Sequence, residues 1–171
     1  MSKFFSPAEW TELRRRFETN REAQLTLVAE HESTASYSSA FLALWDALEH
    51  FAKSLGPAAY RKELKTALSE WLEYVDGSRV NMPSEIGAGK FNLPYKEAEK
   101  IPPETLMQKL LPEASATTLY LLLAPKKKHR IRRNEIAHKG VTTSQKVYEE
   151  FKDAAVAALS EIEDWLSGGP R

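Results

Sequence analysis

The chain contains no cysteine. Disulfides, thiolate metal sites and a cysteine nucleophile are therefore unavailable, and stability has to come from packing. Long apolar runs are missing as well. No segment approaches the length of a membrane span, and the opening Met1-Ser2-Lys3-Phe4-Phe5-Ser6-Pro7 lacks the apolar stretch of a secretory signal. The expectation is a cytoplasmic protein with no membrane partner. Charge of one sign is not in excess, since 24 Lys and Arg balance 24 Asp and Glu. The balance hides a local polarity: Lys126 to Arg133 is almost wholly cationic, whereas Glu149, Glu150, Asp153, Glu161, Glu163 and Asp164 gather in the last segment. With 42% hydrophobic residues over 171 positions, the composition fits a single globular domain spanning 1–171.

Apolar residues recur at three- and four-residue steps along most of the chain, so helices are expected. Ser6-Pro7-Ala8-Glu9 has the form of a capping box with Pro in the first turn, followed by Trp10, Leu13 and Phe17 on one face and helical composition to about Glu30. The second helix, roughly Ser36 to Leu55, carries the clearest period, in Phe41, Leu44, Trp45, Leu48, Ala52 and Leu55. A third, from Pro57 to about Asp76, should bury Tyr60, Leu64, Leu68, Trp71 and Val75 and stop at Gly77. Residues 78–103 then read as a long irregular insert, broken by Pro83, Gly87, Gly89, Pro94, Pro102 and Pro103.

Past a short amphipathic piece (Leu106, Leu110, Leu111), Ala114 to Leu123 resumes as an apolar helix up to Ala124-Pro125. A basic helix follows from about Lys126 to His138, ending at Gly140. The last, about Thr143 to Leu166, buries Tyr148, Phe151, Ala155, Leu159, Ile162 and Leu166 before a flexible tail over 167–171. The expected fold class is all-α, a bundle of about five main helices.

The basic helix holds the residues with the clearest chemical content. Arg130, Asn134 and His138 are four apart and share one stripe, while Arg133 stands five before His138, about 140° round the axis. The macrodipole at a helix C-terminus favours an imidazolium, and a histidine of ordinary pKa exchanges protons near neutral pH. Both properties suit acid or base work on a phosphodiester.

Arg133-Asn134-Glu135-Ile136-Ala137-His138 resembles the Arg-x(4–6)-His element of the HEPN superfamily, in which a polar residue such as Asn commonly follows the Arg. Arg followed by His at one of three spacings arises by chance roughly 0.5 times in a chain of this length, and the Asn lowers that about tenfold or more. The setting is similar too: a late helix with a Gly stop and one more long helix after it.

The resemblance implies an all-α HEPN-like bundle and a metal-independent endoribonuclease acting on RNA as a homodimer, its composite site built where two such motifs meet. His138 would move a proton at the 2′-hydroxyl or the leaving oxygen, Arg133 would stabilise the phosphorane-like charge, and Asn134 would orient the pair. No cofactor and no metal is implied. Such enzymes serve as prokaryotic toxins or anti-phage RNases, so an antitoxin or regulatory protein is an expected partner. The superfamily also includes catalytically silent RNA-binding or protein-interaction modules, and that alternative stays open.

Lys126, Lys127, Lys128, Arg130 and Arg132 are candidates for tracking RNA phosphates; a solvated face, or one neutralised by the acidic last helix, is the alternative. Many HEPN domains place a polar residue on an early helix facing the motif, and Glu49 is the candidate here. Its competing reading is a solvent-facing stripe in which Asp46 pairs with His50 and Glu49 with Lys53. Phe91 and Tyr95 are the aromatics placed as a base-stacking loop would need, whereas Trp10, Trp45, Trp71 and Trp165 read as core. His31 and His129 have no metal-ligand companions in the sequence.

Overall fold

A computed structural model describes residues 5–81, 107–108 and 110–168, with the side chains of 57, 59, 60 and 62–67 left aside. Among the described residues the main helices are, in order, α1 (Pro7–Ser33), α2 (Tyr37–Ser54), α3 (Gly56–Val75), α4 (Glu113–Leu123), α5 (Lys128–Lys139) and α6 (Gln145–Ser167). Among the described residues there is no strand. The all-α bundle expected from periodicity is therefore present, with six main helices among the described residues. Residues 82–106, which take in most of the expected insert with Phe91 and Tyr95, lie outside the described residues.

The capping box forms as its spacing predicts. The Glu9 N–H donates to Ser6 Oγ at 3.2 Å, and the Ser6 N–H donates to the Glu9 carboxylate at 2.9 Å. α1 runs to Ser33 and turns through Ala35, a non-glycine residue at φ 54, into α2. This tight connection folds the two helices antiparallel, and Gln24 reaches Asp46 at 3.0 Å across the pair.

α2 is the central element. Its apolar positions bury Ala40, Phe41, Ala43, Leu44, Trp45, Ala47, Leu48, Phe51 and Ala52, and it packs on α1, α3, α5 and α6. A helix apolar on most of its surface has to be enclosed, since each large side chain removed from water is worth about 1.5–3 kcal/mol.

α6 closes the bundle through Tyr148, Phe151, Ala155, Ala158, Leu159, Ile162 and Leu166. Phe151 stacks on Phe41 with ring centroids 3.9 Å apart. α6 lies antiparallel to α1: Trp10 Nε1 donates to Leu166 O at one end, while Tyr148 Oη and Lys152 Nζ both donate to Glu32 at the other. α4 contributes Ala116, Leu119, Leu122 and Leu123 to the same core, and Met107, Leu110 and Leu111 belong to it too.

Two expectations need correction. The third helix does not bury its apolar stripe: Leu68 and Val75 are 47% and 75% exposed, Trp71 is only half-buried and stands outside the core, and Leu72 beside it is 68% exposed. α3 joins the core at its start, through Leu55 and Ala58, and its substantial described packing is against α2 alone. Arg61, in its second turn, also pairs with Glu9 of α1 at 2.8 Å. Tyr60 and Leu64 carry no described side chain.

The basic helix begins at Lys128 and not at Lys126. Pro125 and Lys126 form a turn in which Lys126 takes φ 66, with Lys127 as N-cap. A left-handed residue ends helical propagation, so two of the three lysines precede the helix. Gly140, at φ 64, stops α5 in the left-handed conformation that glycine adopts at least cost, and the Val141 N–H returns to Glu135 O at 3.2 Å.

Candidate functional site

α5 is anchored by two side chains, His129 and Ile136, each 8% exposed. His129 lies 5.2 Å from the Phe151 ring. This anchoring turns the helix so that Arg133 faces α2 while Asn134 and His138 face outward.

Arg133 is half-buried. One guanidinium nitrogen stands 3.7 Å from Glu49 Oε2, and Nη1 donates to Asn134 Oδ1 at 3.3 Å. Its Nε is enclosed with no hydrogen-bond partner among the described residues. Glu49 also accepts from Trp45 Nε1 at 2.9 Å and pairs with Lys53 at 3.2 Å. Burial works against its charged form, but the Trp45 hydrogen bond, Lys53 and Arg133 outweigh it and hold the carboxyl below the usual glutamate range.

The structure thus brings Arg133, Asn134 and Glu49 together. The alternative stripe is half present: Glu49 does pair with Lys53, but Asp46 accepts from Gln24. Arg133 turns to α2, away from the acidic last helix.

Glu49→Ala removes the acceptor of the Trp45 indole and the counter-charge of a half-buried guanidinium together. It should destabilise the fold by about 1–3 kcal/mol, and chemical denaturation beside Glu49→Gln, which keeps a hydrogen-bonding amide, measures this.

Arg133 and Glu49 form one end of an open groove of ≈ 460 Å³ between α1, α2 and α5; His31 and Ser39 line the other end, over a floor that includes Leu42 and Ala43. Ala137 also lines it, and His138 does not. His138 stands exposed at the end of α5, with no hydrogen bond to a described residue. Its apolar neighbours on the outer side are also uncovered: Ile131 is 48% exposed and Val141 36%. Ile131 and His138, seven positions apart, share a stripe.

The basic candidates separate into two groups. Arg130 is structural in its contacts, its guanidinium 5.7 Å over the Trp45 ring and Nη1 donating to Leu123 O at 3.4 Å. Arg132 pairs with Glu135 at 3.0 Å, and Lys128 with Glu150 of α6 at 3.3 Å. Lys126 and Lys127 meet no acid among the described residues, and Lys127 Nζ rests 5.4 Å above the Tyr120 ring. Sequence reasoning missed the Trp45–Glu49 hydrogen bond, whose signal was their i,i+4 spacing. The Arg130–Trp45 and Lys127–Tyr120 contacts are tertiary and left no local trace.

His129 ties the basic turn to the core. Burial pushes its pKa down, the Lys128 charge adds to that, and Glu150 opposes it weakly. A folded-state pKa below the unfolded value means that the unfolded chain binds more protons, so stability is present above about pH 6.5 and lost as pH falls toward the folded value. Thermal melts between about pH 7 and 5 should show a decline for wild type and a flatter response for His129→Leu.

Among the described residues no group of three or more His, Asp or Glu side chains could hold a metal ion, and no helix is long and apolar enough to cross a membrane. No family model, no curated protein and no solved structure matches this chain.

Proposed function

We propose that this chain is a HEPN-type, metal-independent endoribonuclease that works as a homodimer, of the kind prokaryotic toxin–antitoxin and anti-phage systems use. The observation that carries the reading is the Arg133-Asn134-x-x-x-His138 motif on one short helix, with His138 exposed and hydrogen-bonded to no described residue. The 2′-hydroxyl of a bound RNA attacks the adjacent phosphorus, the bond to the 5′-oxygen breaks, and a 2′,3′-cyclic phosphate and a 5′-hydroxyl end remain. His138 takes the hydroxyl proton or returns one to the departing oxygen. Arg133 stabilises the extra negative charge, Asn134 orients it, and Glu49 acts as its positioning residue.

The exposure of His138 and Asn134, next to the uncovered Ile131 and Val141, suits a second copy meeting this end of α5 and completing the cleft. A single 2′-deoxy substitution tests the chemistry at the bond level. Cleavage should vanish at the substituted linkage and persist at its neighbours, whereas cutting there, or of DNA, contradicts the mechanism.

One observation favours a second reading, a silent RNA-binding or protein-interaction module: the Arg133 guanidinium is already engaged by Glu49. In that case RNA affinity survives His138→Ala, falls when Lys126, Lys127 and Lys128 are neutralised, and no fragments appear.

A further inference from the structure

Tyr120 lies half-buried in the last turns of α4, beside the turn that leads into α5. Lys127 reaches it from outside the helix, with Nζ 5.4 Å from the ring centroid. A ring face that admits a flexible ammonium is open to a group arriving from solvent. Gln108, Glu113 and Thr117 line a groove of ≈ 290 Å³ along the same ring. Positive charge is concentrated here as well: Lys126 and Lys127 meet no acid among the described residues, whereas Lys128 is paired with Glu150. Ammonium groups that meet no described acid, next to a half-buried aromatic ring, suit a single-stranded nucleic acid. Every base can stack on a ring, and the cation follows the phosphate.

We propose that Tyr120 and Lys127 form a docking subsite for one nucleotide of a single-stranded nucleic acid, remote from the Arg133…His138 motif. The base takes the place of the ammonium on the Tyr120 ring, and Lys127 swings to the phosphate beside it. Eleven positions of α5 and its cap separate Lys127 from His138, about 16 Å of helix axis. The subsite therefore engages strands several nucleotides long and adds nothing for a dinucleotide. The proposal rests on the RNA-binding part of the functional reading but not on cleavage.

The test measures affinity for a fluorescein-labelled oligodeoxythymidylate, which offers bases and phosphates but has no 2′-hydroxyl to attack. Tyr120→Leu keeps the apolar bulk and removes the π face; it should weaken binding roughly tenfold with an unchanged salt slope. Tyr120→Phe should bind within about twofold of wild type, because the ring is retained. Lys127→Gln should reduce the slope of log affinity against log salt by about 0.7. Equal binding by wild type and Tyr120→Leu overturns the subsite, as does the absence of wild-type binding. Tyr120-dependent binding by a chain that cuts no RNA upholds the subsite while the nuclease reading falls.

Discussion

Replacing His138 with alanine should lower the rate of RNA cleavage by about 10²–10⁴-fold, the usual contribution of a positioned proton-transfer group. The fold should be untouched. His138 is exposed at the last turn of α5 and bonds to no described residue, so its removal opens no cavity and strands no partner. Matching melting curves beside the lost activity would separate chemistry from folding. Arg133→Ala differs in kind: it removes a half-buried guanidinium from Glu49 and is expected to cost stability as well as rate. A His138→Ala protein that cuts as fast as wild type removes the histidine from the mechanism.

The largest expected loss of stability is at Phe151. Its ring is fully buried, stacked on Phe41 at 3.9 Å, 6.2 Å from Trp45 and 5.2 Å from His129. It joins α6 to α2 and to the start of α5 at one point. Phe151→Ala should cost about 3–5 kcal/mol, the transfer energy of the ring plus the cavity it leaves. Because His129 rests on the same ring, the variant should also loosen the turn that carries Lys126 and Lys127. Urea denaturation gives the first quantity, and faster amide exchange over residues 126–132 gives the second. A loss under about 1 kcal/mol would mean that the aromatic cluster does not hold the helices in this arrangement.

How much of this was legible beforehand follows from the physics of each element. The α2 residues Phe41, Leu44, Trp45, Leu48 and Ala52, and the α6 residues Tyr148, Phe151, Ala155, Leu159, Ile162 and Leu166, are buried as their spacing predicts. A helix with a strong 3.6-residue period has one way to bury its stripe. The capping box at Ser6 and the stop at Gly140 were equally local, each fixed by a hydrogen bond or a backbone angle that one residue type supplies.

The α3 stripe misled for the complementary reason. Period alone signals a face that could be buried, and Leu68 and Val75 stay exposed although they keep the period. The start of α5 was misplaced because the left-handed backbone of Lys126 is a tertiary compromise that no lysine announces. In the candidate site, the motif could be read along α5, and Glu49 could be nominated from its polar stripe. The 3.7 Å approach of Glu49 to Arg133 depends on how α5 rotates about His129 and Ile136. The same rotation places Arg130 over Trp45, so a residue read as a phosphate ligand is held against the core.

The central claim is that Arg133 and His138 cut RNA through the 2′-hydroxyl, and the end chemistry of fragments tests it most directly. Purified wild type and His138→Ala are incubated in EDTA with a pool of single-stranded and structured RNA, and the fragment termini are read by mass spectrometry. The account predicts 2′,3′-cyclic phosphate and 5′-hydroxyl ends from wild type and intact RNA from the variant. Fragments with 5′-phosphate ends, or equal cutting by both proteins, would contradict it.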